Sequence, residues 1–134
     1  MSEQQRAGAD QPLVLLVDDE YGILEAVADL LRSEGFRVMP AGDGHEAMRA
    51  LDADTPDVAL VDVMMPGMNG IALVEAMGRD PRHRQVPVIL MTAAIGAVPA
   101  AVLERVRLLR KPFLVDALLG ALHEAVGRGS VAER

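Results

Sequence analysis

Cysteine is absent from this sequence, and its absence excludes two kinds of site. None of the 134 residues is a cysteine, so the chain forms no disulfide and has no cysteine-ligated zinc centre. A chain without cysteine fits a reducing compartment. Together with a polar stretch at residues 1–6 that does not resemble a signal peptide, this predicts a cytoplasmic protein.

Long apolar runs and basic charge are also scarce. Charged residues or glycine interrupt every apolar stretch well before the roughly 18 residues that a membrane span requires. Lysine and arginine number 13 against 20 aspartates and glutamates, a net charge of −7. Because binding to a phosphate backbone needs a basic face, we expect neither membrane insertion nor direct contact with nucleic acid.

The sequence does contain enough apolar material for one folded domain. Apolar residues make up 51% of the 134 positions, which is typical of a globular unit with its own core. We expect this domain at residues 12–127, between a flexible leader at 1–11 and a flexible tail at 128–134.

Short apolar runs alternate with segments of helical periodicity. Buried strands are predicted at 13–17, 58–61 and 86–92, a short strand at 36–41 that Pro40 places at an edge of the sheet, and a last strand at 106–110. The helices are predicted at 21–34, at 46–53, after Asn69, from Pro99 to about Arg105, and along a final stripe that includes Leu118. Five repeats of strand and helix predict an α/β fold, in which a doubly wound parallel sheet is flanked by five helices. The flavodoxin-like strand order 2-1-3-4-5 suits this pattern.

Polar residues follow four of these strands directly. Asp18 and Asp19 follow strand one, Asp62 follows strand three, Thr92 ends strand four, and Lys111 follows strand five. Strands one and three are neighbours in the predicted order, and the carboxyl ends of parallel strands share one edge of the sheet. The sequence therefore predicts that these five side chains converge.

Structural explanations of the acids remain open at this point. Adjacent buried carboxylates repel one another and lose hydration, so they need a cation or a helix amino terminus to compensate them. Asp19 or Glu20 could cap the helix that begins at Tyr21. Asp62 could simply turn the chain in a loop.

The chemistry of the predicted cluster favours a metal and a phosphoryl group. Crowded carboxylate oxygens suit Mg²⁺, and an ammonium and a hydroxyl suit the oxygens of a phosphoryl group during transfer. We expect all three histidines, His45, His83 and His123, to have surface roles. The sequence contains no cysteine and no histidine at a strand end, so the candidate nucleophile is a carboxylate, which can form an acyl phosphate.

Four motifs in order give the chain a resemblance to a known family. They are Asp18-Asp19, the run DVMMPGMNG that begins at Asp62, Thr92-Ala93, and Lys111-Pro112-Phe113. From about residue 13 to residue 126 the chain resembles the receiver domain of two-component response regulators.

This resemblance implies a phosphoacceptor. Asp62 would take a phosphoryl group from a histidine kinase or a histidine phosphotransfer protein. Mg²⁺ would be held by Asp19, Asp62 and the backbone carbonyl of Met64, with Asp18 acting through water. The chain would catalyse its own phosphorylation and dephosphorylation without being a turnover enzyme.

The resemblance also implies how the site signals. Lys111 would pair with the phosphoryl oxygens, Thr92 would bond to one of them on activation, and the Lys111–Pro112 peptide bond would be cis. With no output domain or basic recognition helix in the sequence, we expect a stand-alone receiver, or one cut from a longer protein near Gly127. Either would signal through an unknown downstream protein.

Three features of the sequence depart from the family pattern. The stretch between Thr92 and Lys111 is short, which predicts a truncated or displaced fourth helix. Leu108 stands where many receivers have an aromatic switch residue. Met64 and Ala94, which in the family flank the attacking water, lack polar side chains, so we expect a comparatively long-lived acyl phosphate.

Two other function classes fit part of the pattern. A receiver-like scaffold would bind partners without phosphorylation. A Mg²⁺-dependent aspartyl-phosphate phosphatase of the haloacid dehalogenase type would also use a strand-end aspartate, a threonine and a lysine. It normally has a second aspartate two residues after the nucleophile, where this chain has Met64.

Overall fold

The computed structural model describes residues 11–64 and 69–132. Most of the predicted leader (1–10), part of the loop after Asp62 (65–68) and the last two residues of the predicted tail lie outside this range. Within it, no helix combines the length and apolar content that crossing a bilayer would require.

Five parallel strands and five helices alternate along the chain. The strands are β1 (Leu13–Val17), β2 (Arg37–Ala41), β3 (Val58–Asp62), β4 (Val88–Thr92) and β5 (Arg107–Arg110). The helices are α1 (Tyr21–Ser33), α2 (Gly44–Ala53), α3 (Gly70–Arg79), α4 (Ala100–Leu103) and α5 (Val115–Ala132), with a 3₁₀ turn at Ile95–Ala97 before α4. The sheet order is β2-β1-β3-β4-β5, so the predicted fold is confirmed.

Local capping fixes where several helices begin or end. Asp43 accepts a hydrogen bond from the N–H of Glu46 at 2.8 Å, and the Glu46 carboxylate accepts one from the N–H of Gly42 at 3.1 Å. Asp43 thus caps the helix as predicted, and one such cap contributes about 1 kcal/mol, but Glu46 reaches back to the residue before Asp43 and not to the N–H of Asp43 that a capping box uses. Asn69 caps α3 in the predicted way, and Gly35 follows α1 with a φ of 93°, which glycine adopts without strain.

The three central strands, β1, β3 and β4, are buried on both faces, as their uninterrupted apolar runs predict. Leu15 and Val17 of β1 point toward α2 and α3, while Val14 and Leu16 point toward α1 and α5. Strands covered on both faces are typical of parallel sheets. Truncating one of these leucines to alanine would destabilise the fold by about 2–5 kcal/mol.

Two helices differ in length from their predicted spans. Helix α4 ends at Leu103 after only four residues, which fits the expected truncation but falls short of the predicted end near Arg105. Helix α5 instead continues to Ala132, past Gly127, where the sequence predicts the start of a flexible tail. Glycine weakens a helix by about 1 kcal/mol relative to alanine but keeps its N–H donor, so it does not end a helix as proline does.

The surface role expected for His83 is wrong, because its side chain is only 1% exposed. The connector after α3 folds into turns in which the Asp80 carbonyl accepts hydrogen bonds from His83 and Arg84 at 3.0 and 2.9 Å. These turns place the imidazole in the interior, with neither ring nitrogen hydrogen-bonded among the described residues. His45 and His123 are exposed, as predicted.

Candidate functional site

The register of the two central strands places the acids side by side. Val17 of β1 pairs with Val61 of β3, so Asp18 and Asp62 are the next residues along two neighbouring strands. Asp18 is 2% exposed and Asp62 is 6% exposed, whereas Asp19 lies at the surface. The site thus has two buried carboxylates and one accessible carboxylate.

The three carboxylates form one cluster. One oxygen from each of Asp18, Asp19 and Asp62 lies within 4.8 Å of the other two. The predicted convergence of the acids from strands one and three is therefore confirmed. Three hard oxygen donors at this spacing form a donor set that suits a divalent cation such as Mg²⁺.

Lys111 is the cation that faces the buried acids. Its Nζ lies 3.5 Å from an oxygen of Asp18 and 3.5 Å from an oxygen of Asp62. The backbone N–H of Lys111 donates to the carbonyl of Thr92 at 2.9 Å, which ties the end of β5 to β4. The Lys111–Pro112 peptide bond is cis, as the family resemblance implies.

Thr92 is buried at the end of β4, beside the cluster. Its side chain is 1% exposed, and its Oγ1 accepts a hydrogen bond from the N–H of Ala94 at 2.9 Å. Because this bond uses an oxygen lone pair, the hydroxyl proton remains available for donation.

The helix-cap explanation of the first acidic motif does not hold. Glu20 is the N-cap residue of α1 but makes no side-chain capping hydrogen bond. It is Asp18 that accepts from the backbone N–H of Glu20, at 3.0 Å. This bond orients the Asp18 carboxylate and leaves the second oxygen of Asp18 toward Lys111.

Burial raises the pKa of Asp62 above its ordinary value of 3.8, because removal from water disfavours the charged form. Lys111 lowers this pKa, and the neighbouring Asp18 raises it. The net upward shift shows that one ammonium does not fully compensate the buried charge. Additional positive charge near the cluster would therefore favour the ionised form of Asp62.

Of the residues that depart from the family pattern, Met64 and Ala94 lie just beyond the ends of β3 and β4, whereas Leu108 lies within the sheet. Met64 is 69% exposed, and its N–H donates a long hydrogen bond of 3.4 Å to Asp62. Ala94 is also exposed. Leu108 pairs with Leu90 across the β4–β5 ladder and packs, half-buried, against the core beneath α2 and α3.

A contact of Gly70 with the strand that carries Asp62 was not anticipated from the sequence. The first residue of α3 lies directly against the backbone of Asp62 and Val63. Its signal was present, since Gly70 follows the capping residue Asn69 at the start of a helix where other residues form helices better.

The family model for the response regulator receiver domain matches residues 14–123. The transcriptional regulatory protein CseB of Streptomyces coelicolor is 40% identical over 90 residues, which cover 67% of this chain and 37% of that protein. The DNA-binding response regulator MtrA of Mycobacterium tuberculosis is 38% identical over 85 residues, which cover 63% of this chain and 36% of that protein. The matches thus span little more than a third of these relatives' length.

Solved structures agree with this assignment. A response regulator receiver domain protein from Clostridium thermocellum is 25% identical and superposes with a TM-score of 0.81, over 90% of this chain and 98% of that one. The chemotaxis protein CheY4 of Vibrio cholerae is 28% identical with a TM-score of 0.76, over 86% and 98% of the two chains. The chain belongs to the response regulator receiver domain family of two-component signalling proteins.

Proposed function

We propose that this receiver domain accepts a phosphoryl group on Asp62 and passes the signal on through a phosphorylation-dependent change of its protein-binding surface. The observation that carries the proposal is the position of Lys111, 3.5 Å from both buried acids of a cluster that also contains the accessible Asp19. A nucleophilic carboxylate, a fixed positive charge and a buried hydroxyl donor stand at one edge, which is the set that phosphoryl transfer needs.

Mg²⁺ fits the donor set of this chain. Three carboxylates face one ammonium, so the cluster keeps an excess of negative charge that a divalent cation would offset. Asp19, Asp62 and the backbone carbonyl of Met64 would hold the ion directly, with Asp18 acting through water. When bound, Mg²⁺ supplies neutralisation of the charge on the phosphoryl oxygens.

The transfer itself is a displacement at phosphorus. An oxygen of the ionised Asp62 attacks the phosphoryl group of a phosphohistidine, a new O–P bond forms, and the N–P bond of the donor breaks. The electron pair of the N–P bond returns to the donor imidazole. The Lys111 ammonium offsets the charge that gathers on the phosphoryl oxygens, and the Thr92 hydroxyl donates a hydrogen bond to one of them.

The donor in this proposal is a histidine kinase or a histidine phosphotransfer protein, and the recipient of the signal is a downstream protein. Receiver domains in general work with such kinases and targets. The chain itself is then a switch located in the cytoplasm. It catalyses its own phosphorylation and dephosphorylation and turns over no external substrate.

The test is chemical phosphorylation with a small donor. The purified chain is incubated with Mg²⁺ and acetyl phosphate or phosphoramidate and weighed by intact mass spectrometry. We expect a mass increase of one phosphoryl group that is lost in Asp62→Asn and kept in Asp80→Asn, an acid at the opposite edge of the sheet. No increase in the parent chain would favour a binding scaffold, and steady hydrolysis of a phosphate ester would favour a phosphatase.

A further inference from the structure

We infer that Gly70 is a positioning residue for the phosphoacceptor, because the missing side chain at this position sets how closely α3 approaches the backbone that carries Asp62. This inference rests on the proposed function of Asp62. It concerns a residue that contacts the backbone of Asp62 but has no side chain to contact a carboxylate or the phosphoryl donor.

The contact between Gly70 and β3 leaves no room for a side chain. A Cβ atom at position 70 would overlap the carbonyl oxygen of Asp62, and it would lie 2.9 Å from the carbonyl carbon of Asp62 and 3.0 Å from the Cα of Val63. The glycine is required for space and not for an unusual backbone angle, since Gly35 is the glycine with positive φ among the described residues.

The atoms on the strand side of this contact are held in place. They belong to the backbone, so no flexible side-chain end can move aside. The N–H of Val63 donates to the carbonyl of Met91 in β4 at 3.0 Å, and the carbonyl of Val63 accepts from the N–H of Gly70 at 3.1 Å. The peptide that follows Asp62 is thus fixed between β4 and the start of α3.

The helix side of the contact is held equally firmly. Asn69 caps the first turn of α3 by accepting from the N–H of Ala72 at 2.8 Å. Leu73, Val74 and Met77 are at most 2% exposed and anchor the inner face of the helix. A methyl group at position 70 must therefore displace either a packed helix or the peptide of Asp62.

Displacement of that peptide moves the Asp62 carboxylate relative to the other charged groups. The carboxylate must stay close to Asp18, Asp19 and Lys111, and a shift of about 1 Å in a reacting group can slow a reaction about 100-fold. Gly70 acts on the reaction through this position of Asp62 and contributes no group of its own.

The chain supplies matched controls for the test. Gly120 lies in the exposed face of α5 with nothing within 4 Å of an added Cβ, so Gly120→Ala should raise the thermal unfolding midpoint without affecting the site. The variants Gly70→Ala and Val74→Ala are each built on this background. Val74→Ala removes buried methyl groups from the same helix and lowers the midpoint without crowding Asp62.

Three quantities are measured at a temperature where circular dichroism shows all variants to be folded. They are the initial rate of phosphoryl incorporation from acetyl phosphate, the dissociation constant of Mg²⁺ by calorimetry, and the amide NMR shifts around Asp62. We expect Gly70→Ala to lose about 10- to 100-fold in rate and to bind Mg²⁺ more weakly, with shifted Asp62 and Val63 amides. Val74→Ala and Gly120→Ala should match the parent chain in all three.

Equal behaviour of Gly70→Ala and Val74→Ala would overturn the inference, because the glycine would then matter for stability alone. Failure of Gly70→Ala to fold on the stabilised background would overturn it as well, since the contact would then be a requirement of folding. If the parent chain takes up no phosphoryl group, the proposed function fails by itself. The Mg²⁺ affinities and the amide shifts then still decide whether Gly70 positions Asp62.

Discussion

Acidic residues lie at both edges of the sheet, but they differ in burial and in the cation that contacts them. At the amino-terminal edge, Arg82 donates hydrogen bonds to Asp80 at 2.8 Å and to Asp52 at 3.2 Å, with half or more of the Arg82 and Asp52 side chains exposed. At the carboxyl-terminal edge, Asp18 and Asp62 are buried, and Lys111 lies 3.5 Å from both.

This difference shows in the pKa values of two aspartates. Hydrogen bonds from Arg82 lower the pKa of Asp80 from 3.8 to about 2, whereas burial raises the pKa of Asp62. A solvent-accessible ion pair such as Arg82 and Asp80 adds little to stability, because water already screens and hydrates both charges. At the other edge the buried charge is only partly compensated, and such groups often mark functional sites.

The largest expected effect comes from removing the ammonium at the site. Lys111→Met should slow phosphoryl incorporation about 100-fold or more, because a fixed charge no longer offsets the charge that develops on the phosphoryl oxygens. The same change should tighten Mg²⁺ binding about 30-fold, since a unit charge a few ångströms from a divalent ion repels it by about 2 kcal/mol even in water-like surroundings. Rates by intact mass and affinities by calorimetry measure both effects.

The matched control lies at the opposite edge. Arg82→Met removes the cation that contacts the exposed Asp52 and the half-buried Asp80, and it should change neither the phosphorylation rate nor the Mg²⁺ affinity. Weaker Mg²⁺ binding in Lys111→Met would show that the lysine organises the carboxylates more than it repels the cation. The contrast between the two edges would then need a different explanation.

The parts of this comparison that depend on strand ends were predictable from the sequence. Uninterrupted apolar runs identified the buried strands, and the residues immediately after them gave Asp18, Asp62 and Lys111. Parallel topology then required these side chains to share one edge.

The parts that depend on tertiary contacts were not predictable. His83 sits in a polar connector, and only the turns around Asp80 show that its ring enters the core. The length of α5 depended on whether Gly127 ends the helix, and a glycine can lie either within a helix or just after its end. The glycine after Asn69 indicates a position where a side chain is unfavourable, but the sequence does not indicate that the backbone of Asp62 is what a side chain there would meet.

A smaller effect is expected on the lifetime of the acyl phosphate, which depends on the exposed residues near Asp62. At the site, Met64 and Ala94 carry no polar side chain that could orient a water, whereas Asp80 has an arginine beside it. We expect the acyl phosphate on Asp62 to persist for minutes or longer once the donor is removed. Met64→Asn should shorten its half-life about 10-fold by holding the attacking water.

The measurement is the decay of the phosphorylated mass with time in the presence of Mg²⁺. Leu103→Asn serves as the control. It changes an exposed apolar residue in the same way, but on α4, and should leave the half-life unchanged. Loss of the phosphoryl group from the parent chain within seconds would contradict the prediction.

The smallest effects concern stability, where the two edges should respond with opposite signs. With a chelator present, Asp62→Asn should raise the free energy of unfolding at neutral pH, because asparagine carries no charge that must be buried at this position. The folded-state pKa of Asp62 is raised, so its charged form opposes folding above that pKa, and the advantage of asparagine should vanish as the pH falls below 3.8.

Asp80→Asn should instead lower the free energy of unfolding at neutral pH. The pKa of Asp80 is lowered to about 2 in the folded state, so its charged form favours folding above 3.8, and this contribution is lost as the pH falls toward about 2. Urea unfolding of both variants between neutral and acidic pH separates these cases. If Asp62→Asn also lowered the free energy of unfolding at neutral pH, the charge of Asp62 would be compensated by Lys111, as that of Asp80 is by Arg82. An uncompensated charge could then no longer be the feature that distinguishes the site.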